Sequence, residues 1–186
     1  MKTHVFQRWT IIATFLLAAS IQGISLAQSF IGTWNFDKSQ SKNVGGFYES
    51  GELRYIMKIL PDDNGKMIIE GLTTTEAGWR TTKLNIDLNG PETISTFPMG
   101  DLRRFSFEAV AIGPDQTIKT KAVQGSNKST FDLTSYFKVI VSQGTFDIIL
   151  HSHYELSPDG KTCTVTETRN SRKSDGQAVY VFHKAE

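Results

Sequence analysis

Along most of the chain, apolar side chains recur at every second position in short stretches. Turn-forming residues interrupt those stretches roughly every 8–12 positions, the rhythm of a sandwich or barrel. Alternation at period two sends successive side chains to opposite faces of a pleated strand. The pattern predicts strands over Phe30–Phe36, Leu53–Leu60, Met67–Leu72, Trp79–Leu88, Thr93–Phe97, Arg103–Ile112, Thr117–Val123, Ser135–Ser142, Thr145–Leu156, Thr162–Arg169 and Ala178–Lys184. Between them lie Pro61-Asp62-Asp63-Asn64-Gly65, Leu88-Asn89-Gly90, Gln143-Gly144, Ser157-Pro158-Asp159-Gly160 and Ser174-Asp175-Gly176. These residues tolerate positive φ or preset a turn. Two segments break the rhythm. Asp37–Gly51 is polar and glycine-rich, which predicts a long first connection, and Gln124–Thr130 predicts a second loop. Strands joined by tight turns pair with their sequence neighbours. About ten antiparallel strands twist too strongly to stay an open sheet. The expected fold is therefore all-β: a closed antiparallel up-and-down β-barrel of about ten strands.

Individual strands carry two unlike faces. In Thr145–Leu156, Phe146, Ile148, Leu150, Ser152, Tyr154 and Leu156 share one face, and Asp147, Ile149, His151, His153 and Glu155 the other. In Thr162–Arg169 one face is four threonines, and the other sets Cys163 and Val165 beside Glu167 and Arg169. A threonine row suits either a solvent-facing strand surface or a wet lumen.

The N-terminus follows a different logic. Lys2 and Arg8 precede the apolar run Ile11–Ala19, and small residues stand at Ser25 and Ala27. These are the three parts of a secretory signal peptide, with cleavage expected after Ala27. Ser20, Gln22, Gly23 and Ser25 interrupt the run before it reaches the ~20 residues of a membrane span. Residues 1–27 are thus expected to be a signal peptide and 28–186 a single barrel domain, secreted or periplasmic and without stable membrane insertion. Removing Lys2 and Arg8 leaves 18 basic against 19 acidic side chains, which gives no electrostatic case for nucleic acid. Cys163 is the lone cysteine, so no intrachain disulfide forms and stability must come from burial.

The opening strand Phe30-Ile31-Gly32-Thr33-Trp34-Asn35-Phe36 resembles that of the calycin superfamily, the lipocalins and fatty-acid-binding proteins. Tyr180-Val181-Phe182-His183-Lys184 is similar to the last strand of the fatty-acid-binding branch. Asp37-Lys38-Ser39 and the late Ser157–Lys161 hairpin resemble secreted bacterial lipocalin-like proteins. The resemblance implies a barrel whose base is closed by Trp34, a structural role, and a lumen that receives a ligand. The fatty-acid-binding branch grips a carboxylate with an Arg and a Tyr two apart on the last strand. Tyr180 and Phe182 stand at those positions, so the guanidinium is missing.

Candidate chemistry is sparse. His151 and His153 share a strand face, a spacing that can hold one transition metal, although imidazoles opposite an apolar face also suit simple contact with water. Arg54 and Arg80, beside Tyr55 and Trp79, are candidates to anchor an anionic head; Phe105, Tyr154, Tyr180 and Phe182 are candidates for the lining. No nucleophile elbow, phosphate loop or calcium loop is present, so no catalytic residue and no cofactor is expected. Three functions stay open. The first is a monomer or weak homodimer that binds a small apolar or amphipathic molecule in its lumen. The second is a filled barrel acting as an interaction module, its interior packed by Phe105, Phe107, Phe131, Phe137 and Phe146. The third is a lumen enzyme, an isomerase or hydrolase, using His151, Glu155 and an arginine.

Overall fold

The computed structural model describes residues 30–44, 54–64, 66–75, 78–96, 111–112, 117–141, 144–170 and 177–186. At 75, 78–81, 111–112 and 139–141 only the course of the backbone is described. The strands are β1 (Gly32–Lys42), β2 (Tyr55–Pro61), β3 (Met67–Thr75), β4 (Gly78–Ile86), β5 (Thr93–Thr96), β6 (Ala111–Ile112), β7 (Thr117–Gln124), β8 (Thr130–Val141), β9 (Gly144–Leu156), β10 (Thr162–Arg169) and β11 (Ala178–Lys184). Each overlaps a stretch of period-two alternation.

All ladders are antiparallel, and the strand order is β4-β3-β2-β1-β11-β10-β9-β8-β7-β5, with β6 added against β8. Joining β1 to β11 through Trp34↔Lys184 and Phe36↔Phe182 winds the meander into an up-and-down, nearly closed barrel. The seam lies between β4 and β5, where side chains replace a ladder. Asn85 N–H donates to Ser95 Oγ at 3.0 Å, and Thr93 Oγ1 donates to Asn85 O at 2.5 Å. Below the seam, Asn89 N–H donates to Ala122 O at 3.1 Å, and Lys121 Nζ donates to Gly90 O.

The turns follow their chemistry. Asp62 accepts from Asn64 N–H at 2.8 Å and Lys66 N–H at 2.7 Å. Asp159 accepts from Ser157 Oγ at 2.6 Å and Lys161 N–H at 3.0 Å. Gly160 occupies the left-handed region at φ 68° that the turn requires.

The course of β1 overturns an expectation. The polar stretch from Asp37 was expected to be the start of a loop, yet β1 runs on to Lys42 with a bulge between Asp37 and Lys42. Asp37 holds the bulge by accepting from Ser39 N–H at 2.8 Å, Ser39 Oγ at 2.6 Å and Gln40 Nε2 at 2.8 Å. Val181 N–H then donates to Ser41 Oγ at 2.9 Å, which ties the extended strand back to β11. Pairing is supplied here by side-chain oxygens rather than by an apolar period.

The barrel interior is graded. At the end where β1 begins, Phe30, Trp34, Ile59, Met67, Ile86 and Phe131 are fully buried and pack solid. Trp34 Nε1–H donates to Phe30 O at 2.9 Å, so the indole meets no unsatisfied polar atom. Phe30 sets its ring edge on Phe131 at 4.8 Å, and Phe131 stacks on Tyr154 at 4.3 Å. Trp34 therefore closes this end. Towards the other end the inward positions turn polar, and there the packing opens.

Candidate functional site

The strands place a cavity of ≈ 600 Å³ above this packed end, counting its open mouth; ≈ 40 Å³ of it admits the centres of water-sized molecules. That is room for about three waters as the side chains stand. Its walls come from inward positions two apart on seven strands. Met57, Ile69, Leu84, Leu133, Leu150 and Val165 give an apolar girdle. Phe182 and the tyrosines Tyr55, Tyr154 and Tyr180 add aromatic faces. Polar groups enter from Thr82, Ser135, Ser152 and Glu167. Gly71 is part of the wall because a Cβ there would come within 2.7 Å of Thr82 Oγ1 and 3.2 Å of the Tyr55 ring. Its missing side chain lets Tyr55 lie across β3. Tyr55 meets Phe182 edge-on at 5.3 Å, and Phe36 leans on Phe182 at 5.7 Å.

Glu167 is the charged group on the cavity wall among the described residues. It lies on β10 two residues after Val165, opposite Ser152 of β9 and Ala178 of β11. Ser152 Oγ donates to Glu167 Oε1 at 3.2 Å, and the Tyr180 hydroxyl also hydrogen-bonds the carboxyl. Burial pushes Glu167 up from 4.5 to about 7, against the pull of those two hydrogen bonds and of the Arg169 charge. Burial dominates because desolvation penalises the ionised form more than two hydroxyls and a partly solvated guanidinium repay. Burial, reinforced by the nearby Glu167 charge, likewise raises Tyr55 and Tyr154 far above the usual phenol range. Cys163, buried beneath them, is pushed up to about 12, so it is an inert thiol.

The sequence-predicted residues divide by position. Tyr55, Tyr154, Tyr180 and Phe182 are brought together on the cavity wall. Arg54 is not with them: it is exposed just before β2, where its N–H donates to Thr74 Oγ1 at 2.9 Å. Trp79 and Arg80 fall on β4, with their side chains outside the described residues, as is the whole of Phe105. Phe107 and residues 1–27 also lie outside them. Phe131 and Phe137 are buried, whereas Phe146 is 48 % exposed near the start of β9.

His151 and His153 are exposed on the outer face of β9. His153 Nδ1 meets Asp132 Oδ1 at 2.7 Å, and His151 Nδ1 meets Thr134 Oγ1 at 3.1 Å. Each ring is thus engaged by a side chain of β8 rather than aimed at a shared metal, and Glu155 is exposed on the same outer face. No group of three or more potential ligands suited to a metal occurs among the described residues. His151 and Glu155, named for lumen catalysis, therefore lie outside the lumen. The threonine row of β10 is half-buried on the outer side, and Cys163, Val165 and Glu167 turn inward.

Sequence reasoning missed Glu167 as a site residue. Its signal was present: two apolar residues at period two, Cys163 and Val165, lead directly to a carboxylate on the same strand face.

No family model and no curated protein matches this chain. Among solved structures, a point mutant of the fluorescent protein UnaG matches at 18 % identity with a TM-score of 0.51, covering 85 % of this chain and 97 % of that one. The fold is that of the calycin barrels. Apo lipid binding protein 8 of Caenorhabditis elegans matches at 12 % identity with a TM-score of 0.46, over 85 % of this chain and 96 % of its own. In this calycin-type barrel the two last-strand positions singled out by sequence, Tyr180 and Phe182, both face the cavity. The ionisable contribution comes from the neighbouring strand, as Glu167.

Proposed function

We propose that the protein binds a small, largely apolar molecule in its barrel lumen. The observation that carries this reading is the cavity itself, walled by apolar and aromatic side chains with a few polar groups at one end. A purely structural barrel gains stability by filling such a space, since an unfilled apolar cavity forfeits packing. Here Ser135 and Ser152 stand where larger apolar residues would fill it. The UnaG-like fold supports the reading as a frame that can enclose a lumen.

Titration with a neutral apolar fluorophore tests it. Saturable binding is expected in the wild type. Ser135→Phe, which projects a ring into the cavity, is expected to weaken binding at least about tenfold, the effect of ~1.4 kcal/mol. His153→Phe, on the outer face, is expected to leave it unchanged. Equal binding in all three proteins would place the fluorophore on the surface and end the proposal.

We also propose that the domain works outside the cytoplasm, after removal of residues 1–27. The basic, apolar and small-residue succession at the N-terminus supports this. Expression in an exporting host should yield a chain beginning at Gln28, as read by intact mass and N-terminal sequencing. Recovery of a soluble chain still beginning at Met1 would contradict it.

A further inference from the structure

The geometry points to Glu167 as the anchor for the polar end of the ligand, and to a ligand whose polar end is an amine. This rests on the lumen being the binding site and adds the chemical class of what enters it. Among the described residues, the cavity wall offers one carboxyl group and no lysine, arginine or histidine. A carboxylate-tailed molecule would set its charge against Glu167. An ammonium group would instead find a carboxylate partner and hydroxyl acceptors on Ser152 and Tyr180 beside it. The apolar girdle of Leu84, Leu133 and Leu150 then receives the hydrocarbon.

The groups facing Glu167 can be named strand by strand. Tyr55 stands on β2, Tyr154 on β9, Tyr180 on β11 and Arg169 on β10. Tyr55 and Tyr154 are neutral at physiological pH because burial raises them. Arg169 is the one cation of the set. It lies two residues further along β10, nearer the end away from Trp34, and does not line the cavity. Burial costs its guanidinium part of its own preference for charge. Glu167 in the empty lumen is half-protonated near neutrality. An ammonium in the lumen favours the ionised form, so it should displace the proton as it binds. Amine affinity therefore rises with pH from about 5.5 to 8.5, where an alkylamine is still cationic. Alcohol affinity changes little.

The experiment is competition against the neutral apolar fluorophore on the full-length protein. The competitors are n-octylamine, n-octanol and n-octanoate, at pH 5.5, 7 and 8.5. The expected order at pH 8.5 is amine over alcohol over carboxylate, with amine affinity at least about tenfold higher than at pH 5.5, equivalent to one pH unit of linkage. Glu167→Gln preserves volume and hydrogen bonding. It should abolish the amine preference and its pH dependence, read as the ratio of octylamine to octanol affinity within the variant. Octanoate binding as tightly as octylamine at pH 8.5, or an amine preference unchanged in Glu167→Gln, overturns the assignment of Glu167 and leaves lumen binding standing. Failure of the fluorophore to bind at all overturns both.

Discussion

A carboxyl group that titrates near 7 inside a barrel makes stability depend on pH in a definite direction. Between its ordinary value of 4.5 and about 7, the folded state keeps the Glu167 proton and the unfolded state has released it. The folded state binds more protons, so stability falls as pH rises across that window. The interval corresponds to about 3 kcal/mol at most. Glu167→Gln removes the penalty. In chemical denaturation the variant should gain about 1–3 kcal/mol over wild type at pH 8 and little at pH 4. An equal difference at both pH values would mean that the Glu167 carboxyl is not held protonated by burial. Asp37 has the opposite sign. The Ser39 hydroxyl foremost, then His183 and Gln40, hold its carboxyl far below the usual range. Its contribution is present above its ordinary value of 3.8 and lost as pH falls below it.

At the scale of elements, period-two alternation made β9 legible almost completely. Ile148, Leu150, Ser152, Tyr154 and Leu156 are buried, and His151, His153 and Glu155 are exposed, as their spacing requires. The same rule put Tyr55, Tyr154, Tyr180 and Phe182 on one cavity. It failed where the inward face ceases to be apolar. On β10, Val165 is followed inward by Glu167, and the outer face is threonine, so neither face announces itself as wet. The extension of β1 was hidden for a related reason. Asp37–Lys42 has no apolar period, and its pairing depends on Ser41 Oγ, which donates to Asp37 O and accepts from Val181 N–H on a strand 140 residues away in sequence. Arg54 sits beside an inward tyrosine in sequence, and so on the opposite side of the chain from the lumen. The β4–β5 seam is an element-scale weak point. Thr93→Val with Ser95→Ala removes the hydroxyls that bridge it. Amide exchange at Asn85 is expected to speed by at least about tenfold, with exchange in β9 unchanged. Uniform acceleration across the barrel would mean that the seam is not a separate unit.

At the scale of the molecule, the barrel divides its interior between two tasks. Phe30, Trp34 and Phe131 fill one end and supply the burial that a chain with a single cysteine needs. The other end leaves space, and lines it with tyrosines, serines and one carboxyl group. The most direct test of that division is a crystal structure grown with a bromoalkane, with the anomalous signal of bromine locating the ligand. The signal is expected inside the barrel, within van der Waals reach of Leu84, Leu133 and Leu150. Bromine found only on the outer surface, with the lumen closed by its own side chains, would contradict lumen binding.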